Sequence, residues 1–257
     1  MELEYNPLGG GGNDADAQAF ITAASITDNT QQSAINTLVT QLKGYGIWTK
    51  MKAVYPFVGG TATAHKFNLK DPRDLDAAFR LVFNGGMTHS SLGMVSNYTT
   101  SYADTRLTPS TALSSFYSQH VSVYSQTSTA TPANNINSIG EWQDGTRAMI
   151  MKVRNLSNVF SWEVGNSGVS VTNNDGRGFY LASTIANNSI KLYKNNTNVA
   201  TNTNTFSGSL PSQVQPIGKN ENKTFSFASI GDGLSDADAA NFYTAVQTYQ
   251  TALGRQV

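Results

Sequence analysis

"VFSWEVG" (residues 159–165) alternates as a strand with one buried face does: Phe160, Trp162 and Val164 point one way, while Ser161 and Glu163 point the other. The same strand signal recurs along the chain, separated by short polar breaks. It is found in "HVSVYS" (120–125), "RAMIMKVR" (147–154), "GVSVTNN" (168–174) and "FYLAST" (179–184), then in "SIKLYKNNTNVAT" (189–201) and "KTFSFASIG" (223–231). Within "KLYKNNTNVAT", Asn195 and Asn196 tolerate the positive φ of a tight turn, so this segment reads as a hairpin. Many short strands at this spacing predict a β-sandwich or barrel.

Helical patterns bracket the strands. "DADAQAFITAAS" (14–25) is a short candidate; "TDNTQQSAINTLVTQLKGYG" (27–46) places Ile35, Leu38, Val39 and Leu42 on one face, with Thr27 as cap, Gln31 in the first turn and Gly44 at the end. The closing stretch opens on a capping box, Ser235 and Asp238, and carries Phe242, Val246, Tyr249 and Leu253 as one apolar stripe. A lone helix of this length is marginal in water, so the stripe must pack on something, and a sheet left uncovered supplies the surface. The two longer helices are expected to be neighbours flanking one sandwich. Between them, "IWTKMKAVYPFVGG" (47–60) is strand-like and broken by Gly59-Gly60. "HKFNLKDPRDLDAAFRLVFNGG" (65–86) reads as a turn at Asp71–Asp76 followed by a strand through Phe79, Leu81 and Phe83. The expected organisation is one domain: an arm at 1–12, a helical lead-in at 13–44, a sandwich at 45–234 and a packed helix at 235–257.

Composition narrows the function. Charged residues are 13% of the 257, about half the usual share of roughly 25%, and 17 basic residues balance 17 acidic ones. That excludes the clustered Lys and Arg excess that nucleic-acid or electrostatic membrane binding needs. There is no cysteine, hence no disulfide or thiolate metal site. "MELEYNPLGGGG" (1–12) lacks the basic start and apolar run of a signal peptide. Its four glycines read as a tether, with Leu3, Tyr5, Pro7 and Leu8 as candidate assembly contacts on a neighbouring subunit.

"YPFVGGTATAHKFNLKDPRDLDAAFRLVFNGG" (55–86) and "FASIGDGLSDADAANFYTAVQTYQTALGRQV" (227–257) closely resemble segments of structural and appendage proteins of tailed bacteriophages, especially those of Bacteroidetes hosts. "DPRDLDAAF" and "ALGRQV" are its most specific parts, and the resemblance covers most of residues 20–257. The stretch from "SVYSQT" to the closing helix also resembles the concanavalin A-like, laminin-G-like sandwich. There a hairpin like "IKLYKNNTNVA" occurs, and a helix opening on Leu-Ser and carrying a Tyr follows the last strand, matched by Leu234, Ser235 and Tyr243. The resemblance implies a virion location, contacts with other virion proteins and with further copies of the chain, and sandwiches that bind glycans or build fibres and capsid decorations. With only the short arm ahead of the domain, it implies a compact virion component rather than a long fibre.

Such folds also host glycosidases, which need two carboxylates across the scissile bond. The chain has five glutamates, Glu2, Glu4, Glu141, Glu163 and Glu221, and no Glu-x-Asp-x-x-Glu strand. "EWQDG" puts Glu141 three residues from Asp144, beside Trp142, and a polar loop accounts for it. His65, His89 and His120 have no second ligand at metal spacing. "NNDGRG" (173–178) and the carboxylates from Asp232 to Asp238 do not complete a calcium loop, and a turn and a helix cap account for them. No metal or cofactor is therefore expected. For a glycan, Trp142, Asp144, Asp175, Arg177 and Tyr180 are the candidate contacts, an aromatic platform with hydroxyl-bonding partners. Core positions for Trp142 and Tyr180 are the competing reading. The expectation is a mainly β, concanavalin A-like jelly-roll sandwich with flanking helices, acting as a non-enzymatic bacteriophage structural protein. A host-surface glycan-binding module is the alternative, and a polysaccharide depolymerase the second.

Overall fold

The computed structural model describes residues 12–257. The arm candidates Leu3, Tyr5, Pro7 and Leu8 lie outside the described residues. Helices α1 (Ala15–Ala23) and α2 (Asn29–Gly44) lead into β1 (Met51–Tyr55), a short α3 (Ala62–His65) and strands β2 (Val82–Asn84), β3 (Thr88–Ser90), β4 (Gly93–Val95) and β5 (Tyr102–Asp104). A one-turn α4 (Pro109–Ala112) precedes β6 (Gln119–Ser125), β7 (Asn137–Asp144), β8 (Arg147–Lys152), β9 (Val159–Val164) and β10 (Ser167–Thr172). Then come β11 (Gly178–Ala186), β12 (Ser189–Lys194), β13 (Thr197–Asn202), β14 (Pro216–Lys219), β15 (Thr224–Gly231) and α5 (Asp236–Ala252).

The strands form two antiparallel sheets of a jelly-roll sandwich. The first runs β13-β12-β11-β6-β15-β4-β3, with β1 also paired to β15; the second runs β10-β9-β8-β7-β14-β5-β2. Residues facing each other across the gap, among them Val121, Val123, Met149, Met151, Phe160, Trp162, Tyr180 and Ile217, are one fully buried core. The alternate residues of the first sheet, Tyr124, Phe179, Leu181 and Phe227, turn outward into a second core with α1, α2 and α5. Strand β11 is thus buried on both faces, which is why "GFYLAST" shows no polar alternation despite its position in an antiparallel sheet. The layering is helices, first sheet, second sheet. Among the described residues, α1, α2 and α5 pack on the first sheet, and the outer face of the second sheet carries the candidate site.

Helix α5 is built as its sequence predicts. The Ser235 hydroxyl accepts from the Asp238 N–H at 3.2 Å, and the Asp238 carboxylate accepts from the Ser235 N–H at 2.9 Å. Phe242, Val246 and Tyr249 are buried, and α5 packs beside α2 over the first sheet. Arg255 of "ALGRQV" is buried beyond the helix end, donating to the carbonyls of Phe57, Pro56 and Ser226. The motif therefore staples the C-terminal segment to the sandwich.

Two local readings are corrected. The α2 cap is Asp28, whose carboxylate accepts from the Gln31 N–H at 2.8 Å, rather than Thr27, one residue too early to reach the first turn. Phe79 does not begin a strand. It sits in the left-handed region at φ 59°, closing a 3-10 turn over Asp76–Ala78, where Tyr55 Oη donates to its carbonyl at 2.6 Å and Arg80 pairs with Asp74 and Asp76. The strand starts at Val82.

His120 lies between the sheet and α5 and is fully buried. Its Nδ1 donates to the Asp232 carbonyl at 2.6 Å, and Nε2 accepts from the Ser229 hydroxyl at 3.1 Å, so the neutral ring is satisfied. Burial pulls its pKa from 6.5 to about 4. A depressed histidine contributes stability that is present above its unfolded pKa and lost as pH falls through the folded one. Stability should therefore fall from about pH 6.5 towards pH 4, by about 3 kcal/mol from this group at the bottom of the window. His120→Asn, which can keep the Asp232 bond, should shrink that acid loss when urea midpoints are compared across the window. An undiminished loss in the variant would assign the acid sensitivity elsewhere.

Candidate functional site

Strand β8 alternates Met149 and Met151 into the core with Ala148, Ile150 and Lys152 on the outer face. Its neighbours place Gly140 and Glu163 opposite Ile150, and Trp142 opposite Ala148. Gly140 has φ 101°, and a Cβ there would lie 1.8 Å from the Met149 carbonyl oxygen; a glycine is required for β7 to close on β8 beneath Trp142. Strand β14 then sets Lys219 opposite Asn137 on the other side of β7.

These residues enclose a groove of about 320 Å³ lined by Asn135, Asn137, Glu141, Trp142, Ile150 and Lys152, and closed by Glu163, Lys219 and Asn220. Trp142 is 51% exposed along its wall, a large apolar side chain left in water. Two ion pairs span the groove: Lys152 to Glu163 at 2.5 Å, and Lys219 to Glu141. Asn137 Nδ2 donates to Glu141 Oε1 at 3.0 Å, and the Trp142 N–H donates to the same oxygen at 3.2 Å. The pairs are partly exposed, so they orient side chains more than they add stability. The result is an aromatic shelf with amides and fixed, mutually neutralised charges around it.

Of the residues named from sequence, Trp142 lines the groove, and it stands near the end of a strand rather than in a loop. Asp144 ends the same strand. It is held by Arg147 Nε at 2.7 Å and by the Thr146 N–H at 3.0 Å, which pull its pKa down to about 2, and it is not a lining residue. Asp175 and Arg177 pair with each other at 2.9 Å in the β10–β11 loop. That loop lies by the far end of β8, where Asn173 donates to the Val153 carbonyl. At about 3.3 Å per residue along β8, it is separated from Asp144 by roughly 20 Å. Tyr180 is a core residue, packed edge-on against Phe160 with its hydroxyl donating to the Asp175 carbonyl at 2.6 Å, and offers no ring for stacking. Trp142 thus lines the groove together with Asn135, Asn137, Ile150, Lys152, Lys219 and Asn220, whereas Asp144, Asp175, Arg177 and Tyr180 lie outside it. The alternation of Ile150 and Lys152 with buried methionines was the available signal for part of that set.

His65 and His89 do meet, Nδ1 to Nδ1 at 3.0 Å, but among the described residues no group of three metal-ligating side chains exists. Asp232 pairs with Lys52, Asp236 with Lys191, and Asp238 caps α5.

No family model matches the chain, and no curated protein matches it. Among solved structures the chain is similar to the botulinum neurotoxin serotype D binding domain, with a TM-score of 0.54 and 11% identity over 77% of this chain and 52% of that one. It is also similar to a botulinum neurotoxin type C structure described by cell entry dependent upon two ganglioside molecules, with a TM-score of 0.54 and 11% identity over 79% and 52%. A further match is domain 4 of AbnA, a GH43 extracellular arabinanase from Geobacillus stearothermophilus, in complex with arabinotriose, with a TM-score of 0.46 and 15% identity over 75% and 98%. The chain spans about half the length of the two neurotoxin chains. At these identities the likeness is one of fold, the β-sandwich.

Proposed function

We propose that this chain is a glycan-recognition module, displayed on a tailed-bacteriophage virion and directed at host-surface carbohydrate. The observation that carries the reading is Trp142, half exposed on the outer sheet face beside a groove of amides and paired charges. A sugar ring offers an apolar face to stack on an indole and equatorial hydroxyls to exchange hydrogen bonds with Asn, Glu and Lys, which matches the lining group by group. The fold is compatible, since the similar neurotoxin type C structure concerns ganglioside interaction; the site, rather than the fold, is the argument. The virion placement is supported by the phage-like segments "DPRDLDAAF" and "ALGRQV", with attachment through residues such as Tyr5 and Leu8 and assembly with further copies of the chain.

The mode proposed is binding without hydrolysis. Glu141 has both carboxylate oxygens engaged, by Asn137 and the Trp142 N–H on one side and Lys219 on the other, so it faces no open position as an acid or nucleophile. Glycan-array screening followed by calorimetry tests the reading. Trp142→Ala should weaken binding about tenfold or more, equivalent to at least about 1.4 kcal/mol, while leaving the melting temperature in place because the side chain is not core. Full binding by the variant, no glycan bound by the wild type, or release of reducing ends would each overturn it.

A further inference from the structure

The Trp142 groove does not stand alone. A hollow of about 230 Å³ lies at one side, lined by Tyr98, Thr99, Asn135 and Asn220. Another of about 210 Å³ is lined by Tyr102, Asp104, Glu141, Val214, Pro216 and Lys219. The first shares Asn135 and Asn220 with the Trp142 groove, and the second shares Glu141 and Lys219 with it. The two hollows share no residue with each other, so the Trp142 groove is the middle member of a row. Each outer hollow is below the roughly 300–1,000 Å³ of a ligand pocket, and the capacity of the site comes from their being joined.

Each member of the row carries one aromatic ring with some exposure, Tyr98, Trp142 or Tyr102, and each junction carries a pair of hydrogen-bonding side chains. The Tyr98 end is built at a cost in backbone conformation. Tyr98 has φ 71° and Asn220 has φ 55°. A left-handed tyrosine is an outlier that persists only where its surroundings over-determine it, and such residues cluster at ligand sites. Here the Tyr98 N–H donates to the Glu221 carbonyl at 2.5 Å, and Asn220 Nδ2 donates to the Asn135 carbonyl at 3.1 Å, fixing the shelf and its junction together. The carboxylates along the row are matched: Glu163 with Lys152, Glu141 with Lys219, and Asp104 with Arg106 at 3.5 Å.

We infer that the row is a three-subsite groove for an uncharged linear oligosaccharide, with Tyr98, Trp142 and Tyr102 each supporting one sugar ring and the junction pairs holding the hydroxyls between them. The inference rests on the glycan reading of the Trp142 groove. A polymer of like rings is the ligand whose repeat matches an aromatic, a polar pair and an aromatic again; a branched headgroup or a single sugar would leave one or both outer rings unused. Matched charges select against a polyanion, which would need unpaired Lys or Arg.

The test is calorimetry of the wild-type chain against size ladders, one to five units, of β-1,4-xylan, α-1,5-arabinan, β-1,3-glucan and α-mannan, with polygalacturonate as the acidic ladder. For a neutral ladder that binds, affinity should rise at least tenfold from one unit to three and then level off. Tyr102→Ala should return the trimer to about the affinity of the dimer and leave the monosaccharide unchanged. Tyr98→Asn, which keeps a residue tolerant of left-handed φ, should do the same. Trp142-dependent binding that is independent of length, or trimer binding unaffected by both tyrosine variants, would overturn the three-subsite inference alone. Tighter binding of the acidic ladder would overturn the uncharged class. Binding that survives Trp142→Ala, or no binding to any ladder, would overturn the glycan reading beneath it.

Discussion

Phe242→Ala is expected to destabilise the protein by about 3–5 kcal/mol, the range for removing a large aromatic from a packed core. Phe242 is fully buried at the meeting point of α5 with the first sheet. Its ring lies 5.3 Å from Phe179, 5.9 Å from Phe227 and 6.0 Å from His120, all near edge-on, so the alanine would leave a cavity walled by three rigid rings on a sheet. Little can collapse into that space, since the strands beneath are pinned on both sides by the ladder β11-β6-β15. Tyr243, next along α5 and only partly buried, should cost clearly less. Chemical denaturation separates the two. An unchanged midpoint for Phe242→Ala would mean that α5 is an appendage rather than a layer of the fold.

Much of the architecture is legible in the sequence because antiparallel strands with one polar face alternate. The seven segments read as strands, "VFSWEVG" foremost, fall on β6, β8 to β13 and β15, and Asn195 takes the predicted left-handed turn at φ 54°. What escaped has identifiable causes. Strand β7 contains Gly140, Glu141 and Asp144 and is bulged between Trp142 and Asp144, so its alternation is broken where the site is built. Strand β14 is four residues long with Pro216 and Gly218 in it, composition that reads as a turn. The site suffers most from these two losses. Trp142 is conspicuous by residue type alone, but Lys219 reaches Glu141 only because β14 pairs with β7 across a long sequence separation. Tyr180 is the opposite case. Beside Asp175 and Arg177 it looks like a loop aromatic, yet β11 lies between two cores and buries both of its faces.

The second large effect is expected where the chain passes beneath the Tyr98 hollow. Glu221 and Lys223 are both fully buried, with the ammonium 3.6 Å from Glu221 Oε1, beyond a close hydrogen bond. Each is satisfied separately: Glu221 accepts from the Thr131 and Ser138 hydroxyls at 2.5 Å, and Lys223 donates to the Thr129 carbonyl at 2.8 Å. Burial pushes the Glu221 carboxyl up from its ordinary range and the Lys223 ammonium down, while each partner opposes the other's shift. The Glu221 contribution is thus present below the ordinary carboxylate pKa and lost as pH rises through its raised value. That of Lys223 is present above the ordinary lysine pKa and lost as pH falls through its lowered one. Between these limits the charged pair depends on staying matched. Lys223→Ala should therefore cost about 3–5 kcal/mol near neutral pH by leaving the carboxylate buried alone. Measured against the wild type, so that the shared histidine effect cancels, the deficit should narrow as pH falls from neutral through the raised Glu221 value and the carboxylate takes up a proton. The double replacement Glu221→Gln with Lys223→Met removes both charges at similar volume and should restore stability to near the wild-type value or above it. A double variant as damaged as Lys223→Ala would show that the pair holds this corner by attraction, and that matched burial is not what the fold requires there.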